Sequence, residues 1–570
     1  MKKNWAPKIS PPASIVEQLE QQLPVGRQVA ILLAQRGIDS FEKARDFFRP
    51  ELEQLHDPFL MKDMDRAVER LSEAIHRNEK ILVYGDYDVD GTTAVTIVYS
   101  FLKKLGVDCL YYIPDRYTEG YGFSMQGVDF AHAQKCALII TLDCGVRDGL
   151  KIDYANTLGI DVIVCDHHQP AELPQAAAVL DPKRSDCSYP YKGLSGAGVG
   201  FKLLQGLCIQ QSIDPSLLTE YLDLVTISIG ADIVPLTGEN RILAFHGLKL
   251  LQETRRPGIA AMLMKAGCKK PALTITDVVF ILAPRINAAG RIFSGKEAVA
   301  LLLSENEGEA LPLSTAIEEY NATRKGLDKE ITKQAIQHID ADAFQQSSLS
   351  TVVFGENWHK GVVGIVASRL VETYYKPTIV LVSDGEKMAG SARSIEGIDL
   401  FECLSECDEH LIQFGGHTMA AGLSLRAENF PLFRNRFDEV VREKLNNIRP
   451  EPFIEYDAEI DFEDITPKFF RILKQFEPFG PENLSPVFLA RNVRNARFTK
   501  TVGDGSHLKL HVHQEHSPQI SFEGIGFNLA QWADVLKNNE PVDLLFSIDE
   551  NTWNGKASLQ LMVKDIRLGL

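Results

Sequence analysis

The sequence predicts an α/β protein: a parallel-sheet domain, a long connecting helix, a second and smaller α/β domain, and a terminal β-barrel. Three observations carry this. Short apolar runs alternate with helical patterns from residue 80 onward: Ile81-Leu82-Val83-Tyr84, then residues 137–142, then Asp161–Cys165. Runs of this kind, separated by helices, are the pattern of strands buried on both faces of a parallel sheet. A helical periodicity through Ile317, Tyr320, Leu327, Ile331 and Ile336 predicts one long helix over 311–345, and a second α/β unit follows, with strands at Thr351-Val352-Val353-Phe354 and 378–382. After Arg449-Pro450 the pattern changes to strict alternation, as in His507-Leu508-Lys509-Leu510-His511-Val512-His513. Asn554-Gly555 lies between the apolar runs 544–548 and 559–563, which marks a hairpin turn.

A chain of 570 residues exceeds what one hydrophobic core supports. The expected divisions are an N-terminal extension at 1–75, a catalytic domain at 76–310, the connecting helix at 311–345, the smaller α/β domain at 346–448 and the barrel at 449–570. With 45% hydrophobic and 24% charged residues the composition is that of an ordinary globular protein, and no run approaches the length of a membrane span. The charged N-terminus leads into no apolar segment, so no secretory signal is expected. Nine scattered cysteines without a CxxC pair argue for reduced thiols in the cytoplasm; Cys403 and Cys407, one helical turn apart, read as structural. The net charge of −17 argues against a broad duplex-binding surface, yet leaves room for a locally basic groove.

The chemistry concentrates in Gly85-Asp86-Tyr87-Asp88-Val89-Asp90-Gly91, three carboxylates at alternate positions between a strand and a helix. Like charges at that spacing resist joint ionisation unless a cation compensates them. An EF-hand is excluded, because no acid fills the twelfth loop position and a strand precedes the motif. Asp143 ends the second apolar run, Asp166-His167-His168 the third, and Asp232 a fourth, 224–231. Read as strands of one open parallel sheet, these four runs deliver Asp and His to a single crevice. About six oxygen donors and one or two imidazoles suit a pair of Mn²⁺ or Mg²⁺ ions rather than structural zinc.

In order and spacing these four motifs resemble those of the DHH phosphoesterases, and Phe414-Gly415-Gly416-His417 resembles the glycine-histidine motif of their second domain, DHHA1. Asp57–Met64, Ile113-Pro114-Asp115-Arg116, residues 284–291 and Gly390-Ser391-Ala392-Arg393-Ser394 are similar to segments of the RecJ family within that superfamily, whose terminal module is an OB-fold. The resemblance covers nearly the whole chain. It implies a two-metal exonuclease that degrades single-stranded DNA from the 5′ end into 5′-mononucleotides, in DNA repair and recombination. It implies Asp88, Asp90, Asp143, His167 and Asp232 as metal ligands, with Asp143 bridging and acting in catalysis with His167. Asp86 and Asp166 are further candidates, Asp166 alternatively as a partner that orients an imidazole, and His168 as a catalytic contact to the scissile phosphate. The division among these three stays open.

On the substrate side, Arg285, Arg291 and Arg393 lie among small residues that let a phosphate approach closely, with Ser391 in the motif of Arg393; Arg116 precedes the loop Glu119-Gly120-Tyr121-Gly122, and His417 follows two glycines that open room for a nucleotide, so all six are candidate nucleic-acid contacts. The stretch from Arg491 to Lys500 holds four positive charges and one aromatic, the composition of a weak single-strand track. Two other functions share such a core: hydrolysis of short oligonucleotides or cyclic dinucleotides, and an inactive DNA-binding scaffold. The long helix and terminal barrel disfavour the first, and the intact acidic motifs disfavour the second. An acidic protein holds single strands poorly at high salt, so a single-stranded-DNA-binding protein is an expected partner, as the resemblance also implies, and a helicase is a further candidate.

Overall fold

Strands rich in Val, Ile and Leu can bury both faces, and in the computed structural model, which describes residues 3–270, 272–553 and 556–569, they do so. Ile81–Gly85, Leu138–Leu142 and Asp161–Cys165 lie side by side, with Cys109–Tyr112 at one edge and Ala178–Leu180 at the other, all parallel. Alternate residues of one strand serve two cores: Ile81 and Val83 face one side of the sheet, Leu82 and Tyr84 the other. The second strand in the chain lies outside the first while the third lies on its other side. The strand order thus reverses between Ile81–Gly85 and Leu138–Leu142, and a ligand crevice opens at the carboxyl ends there.

Three helices roof one face: Val89–Lys104, Gly196–Gln211 and Leu222–Ala231. The last corrects the sequence reading, which took the run before Asp232 for a strand. Leu222–Ala231 is helical and buried on nearly every side, and a helix without a polar face has no periodicity to distinguish it from a buried strand. Asp232 follows the helix at its carboxyl end, not a strand.

The connecting helix runs from Glu307 to Ala341, 35 residues, starting and ending about four residues before the expected bounds. Asn306 sets its start by accepting a hydrogen bond from the Glu309 amide. Its first half contributes Ile317 to the catalytic core, and its second half contributes Ile331, Ala335 and Ile339 to the core of the second domain. Its amphipathic faces therefore hold two domains at a fixed spacing of about 50 Å of helix. The second sheet runs Gln413–Gly416, Ala420–Arg426, Lys387–Arg393, Thr378–Ser383, Thr351–Gly355; only the last two strands pair in parallel.

The terminal module is a closed five-stranded barrel. Phe488–Val502, His507–Gln514, Ser517–Gly526, Lys556–Leu568 and Val542–Trp553 pair in turn, and the last closes back on the first. Asn554-Gly555, expected as the hairpin turn, lies outside the described residues, but its flanking strands pair antiparallel as that turn requires. The segment expected as an N-terminal extension is divided between two cores. Asn4–Pro7 pairs with Phe453–Tyr456, and Leu19, Leu32 and Leu33 pack with Phe462, Phe488 and Phe546 of the barrel, whereas Met64–His76 packs on the catalytic sheet.

One buried cation ties the barrel module to the catalytic domain. Arg241, in the helix Gly238–Gln252, donates to the carbonyls of Phe47, Gln475, Phe476 and Pro478 at 2.8–3.4 Å, with its guanidinium 3.8 Å from the Phe47 ring centroid. Burial, and then the Arg36 cation, lower its pKa to about 9. Arg241→Ala strands these carbonyls in a buried joint and should cost roughly 2–4 kcal/mol. Calorimetry should resolve a barrel transition at lower temperature than the catalytic domain's; one unchanged transition would contradict this role.

Candidate metal and nucleic-acid site

The first acidic motif is shaped by its glycines. A Cβ on Gly91 would lie 2.4 Å from the Asp86 carbonyl oxygen, so only glycine lets the helix begin this close to the strand end. Asp88 caps that helix by accepting from the Gly91 amide at 3.0 Å. Asp90 is gripped by a second helix start: its Oδ2 accepts from Gly196 N at 2.7 Å, and its Oδ1 from Ala197 N at 2.8 Å and Ser228 Oγ at 2.7 Å. The positive end of helix Gly196–Gln211 thus holds a carboxylate and fixes its direction. Asp143 has a left-handed backbone (φ 60°), uncommon for a non-glycine residue, and a Cβ on Gly196 would fall 2.6 Å from its Cβ.

These elements converge on the His167 ring. His167 Nε2 lies 3.1 Å from Asp143 Oδ1, 3.5 Å from Asp232 Oδ2 and 3.7 Å from Asp90 Oδ2. Burial, then the His168 and Lys183 cations, push the His167 pKa down to about 3, so the imidazole is neutral and offers a lone pair. Buried Asp86 Oδ2, Asp143 Oδ1 and His167 Nε2 have no hydrogen-bond partner among the described residues. Burial and then mutual repulsion raise Asp86, Asp143 and Asp232 well above the usual carboxylate range, and Asp90 to about 6. Unpartnered oxygens and a neutral imidazole facing one another fit divalent cations, which supply the missing charge. Asp143, His167 and His168 form one possible ligand group and Asp90, His167 and Asp232 another, so His167 is common to both.

Asp166 takes the orienting role. Its Oδ1 accepts from the His167 and His168 amides and stands 2.7 Å from His168 Nδ1, while Oδ2 accepts from Val146 N. Burial alone would raise its pKa, but the His168 hydrogen bond and charge outweigh that and hold it below the usual range. The imidazole it orients is His168, not His167. Burial lowers the His168 pKa, the Asp166 hydrogen bond and the surrounding carboxylates raise it more, and it stands near 9. Its Nε2 meets the Tyr121 hydroxyl at 3.0 Å.

Beside the acids stands a cluster of guanidiniums. Arg116 lies 4.1 Å over the Tyr87 ring and donates to the Gly290 carbonyl. Arg291 donates to Gly361 O of the second domain, so the two domains touch here, and Tyr117 donates to Arg291 O. Burial, then Arg116, Arg393 and Arg324, lower the Arg291 pKa to about 10. Arg393 and Ser391 both face Gly364, where a Cβ would lie 2.9 Å and 3.3 Å from them. Arg285 does not join the cluster: it is buried, ion-paired to Glu318 at 2.6 Å, and bonded to Ile281 O, so it supports the connecting helix and leaves no donor fork for a phosphate. His417 is exposed on the second domain, facing the crevice within the fields of Arg147, His168 and Lys183.

In the barrel the basic stretch is partly neutralised. Arg491 pairs with Glu459 and Arg494 with Glu515, while Arg497 and Lys500 stay exposed. Phe498 keeps Lys500, Lys509 and the His511 ring within 6 Å. Sequence reasoning missed Ser228 and Asp181. Ser228 carries no motif, and Asp181, buried with Oδ2 unpartnered among the described residues, follows a strand of only three residues, Ala178–Leu180.

Three family models match in register with this architecture: the DHH family N-terminal domain at 80–229, the DHHA1 domain at 346–443 and the RecJ OB domain at 456–565. The chain is 39% identical over 553 residues to the single-stranded-DNA-specific exonuclease RecJ of Bacillus subtilis (strain 168), covering 96% of this chain and 69% of that protein. Its structure is similar to RecJ of Thermus thermophilus in complex with Mn²⁺ (TM-score 0.84, 28% identity, 99% of this chain and 79% of that one). The Mg²⁺ complex of that protein matches with TM-score 0.79 at 26% identity, covering 99% and 78%.

The raised carboxylate pKa values carry a sign. Asp90, with a folded pKa of about 6 against about 4 unfolded, stabilises the fold below pH 4 and loses that contribution as pH rises through 6, and the raised Asp86, Asp143 and Asp232 act in the same direction. Cation binding reverses the loss. The rise in melting temperature on adding Mn²⁺ to chelator-treated protein should therefore grow from pH 5 to pH 8, and shrink in Asp143→Asn. A pH-independent rise would place the ion elsewhere.

Proposed function

The chain belongs to the RecJ family of single-stranded-DNA-specific exonucleases, and on that premise we propose that it hydrolyses single-stranded DNA with two divalent cations, Mn²⁺ or Mg²⁺, from the 5′ end, releasing 5′-mononucleotides. The observation that carries this reading is the pairing of an acidic, neutral-imidazole centre with three guanidiniums where the catalytic domain touches the second domain. An exonuclease needs such cations, because a terminal phosphate held by them sets the strand end at a fixed distance from the reacting centre.

A pair of cations held by these ligands would supply an activated water and neutralise charge on the phosphoryl oxygens. The chain's own groups do the rest. Asp90, fixed by the helix start at Gly196, and Asp143, fixed by its left-handed backbone, hold their carboxylates toward His167 Nε2. His168, held by Asp166 and positively charged, can donate a hydrogen bond or a proton to a phosphate oxygen from Nε2, with Tyr121 as its resting partner. Arg116, Arg291 and Arg393, with Ser391, would hold the terminal phosphate, and their mutual repulsion is relieved when a dianion binds. The Phe498 platform with Lys500 and Lys509 would grip the trailing strand.

The net charge of −17 supports delivery of free ends by a single-stranded-DNA-binding protein or a helicase. No described helix is long and apolar enough to cross a membrane, and the nine free cysteines suit a cytoplasmic setting.

Digestion of strands labelled at one end tests the reading. The wild-type protein with Mn²⁺ should release labelled mononucleotide from 5′-labelled single strands, spare blunt duplex, and lose at least about 10³-fold of its rate in Asp143→Asn. Label released first from the 3′ end, or turnover confined to dinucleotides, would overturn it.

A further inference from the structure

Residues that end the five parallel strands fall in a fixed spatial order along the sheet's carboxyl edge. Arg116 follows the edge strand Cys109–Tyr112; Asp86, Asp88 and Asp90 follow Ile81–Gly85; Asp143 follows Leu138–Leu142; Asp166, His167 and His168 follow Asp161–Cys165; Asp181 and Lys183 follow the opposite edge strand, Ala178–Leu180. Four strand spacings of ~4.8 Å separate the two ends, about 20 Å in all. The acids thus lie in the middle of a track with a cation at each end. The Arg116 end is the arginine cluster already described.

The other end is built from three separate elements. The Lys183 backbone is fixed by a turn in which its amide donates to the buried Asp181 Oδ1 at 2.7 Å, and its half-buried side chain makes no ion pair with any described residue. Arg147, in the loop after Leu138–Leu142, makes a single bond, from Nε to Gln169 O at 2.8 Å, which leaves its terminal nitrogens without a partner among the described residues. His417, exposed on the second domain, lies within their electrostatic reach: burial, then the cations Arg147, His168 and Lys183, lower its pKa. A lysine whose role was to neutralise the site's acids would touch one of them. Lys183 has no carboxylate within 4 Å among the described residues, although it acts electrostatically on His167, Asp232, Asp181 and His417. Three cationic or donor side chains with free donors, gathered without protein acceptors, suit a ligand that brings its own anionic oxygens.

We propose that Lys183, with Arg147 and His417, forms a second phosphate-binding position that holds the backbone of the entering single strand, on the far side of the metal ligands from the arginine cluster. This rests on the exonuclease reading above. It sets the strand's path across the sheet: terminal phosphate at Arg116, scissile phosphate at the acids, and the next phosphodiester at Lys183.

Steady-state kinetics with two substrates tests it: a 5′-phosphorylated 20-mer, and a 5′-phosphorylated dinucleotide whose two phosphates reach only the arginines and the acids. Lys183→Ala should raise KM for the 20-mer about tenfold with kcat within about threefold, and its loss on the 20-mer should exceed its loss on the dinucleotide by about that factor. The slope of log binding against log salt for the 20-mer should fall by about 0.7, one phosphate contact on a single strand, and Lys183→Arg should restore both. An unchanged KM and salt slope, or equal losses on both substrates, would overturn this inference alone. Wild-type protein that degrades no single strands would overturn the exonuclease reading and this inference with it.

Discussion

The repulsion among carboxylates crowded at one edge of a parallel sheet organises the rest of the molecule. Asp90, Asp143 and Asp232 stand around one imidazole, with Asp86 and Asp88 in the adjoining loop, and burial and like charge oppose the ionisation of Asp86, Asp90, Asp143 and Asp232. Such a cluster persists only where the fold dictates it. The helix starting at Gly196 grips Asp90, the strand end forces Asp143 into a left-handed conformation, and Asp166 holds His168. The first two are backbone-level constraints and the third a short side-chain hydrogen bond, so the geometry is preorganised before any cation arrives.

The same principle of fixed spacing runs outward. The connecting helix belongs to two cores, so the second domain keeps its distance from the acids, and Arg291 links the two domains by bonding to Gly361. Arg241 joins the barrel module to the catalytic domain through four carbonyls, and Leu236, four residues past Asp232, donates to Pro481 O of that module. The loop after Asp232 is thereby braced by the barrel module.

Much of this was legible in the sequence because its signals are local. Gly85-Asp86-Tyr87-Asp88-Val89-Asp90-Gly91 carries its own strand end, cap and helix start, and the runs before Asp143 and Asp166 are short and β-rich, as strands are. Asp232 was legible as a site residue but not as a helix terminus, since a helix buried all round shows no period. Arg285 was misread because its partner, Glu318, lies 33 residues away on another helix. Residues 4–48 could not be assigned to the barrel from sequence, because their partners begin more than 400 residues later. Asp181 was missed because a three-residue strand falls below the length at which periodicity is visible.

The central claim is that these carboxylates are arranged for cations, and anomalous scattering from a crystal soaked in Mn²⁺ tests it most directly. The account predicts two peaks sharing the Asp143–His167 neighbourhood, one toward Asp90 and Asp232 and one toward Asp86 and Asp88. Ordered manganese at other surface carboxylates, with none at His167, would contradict it.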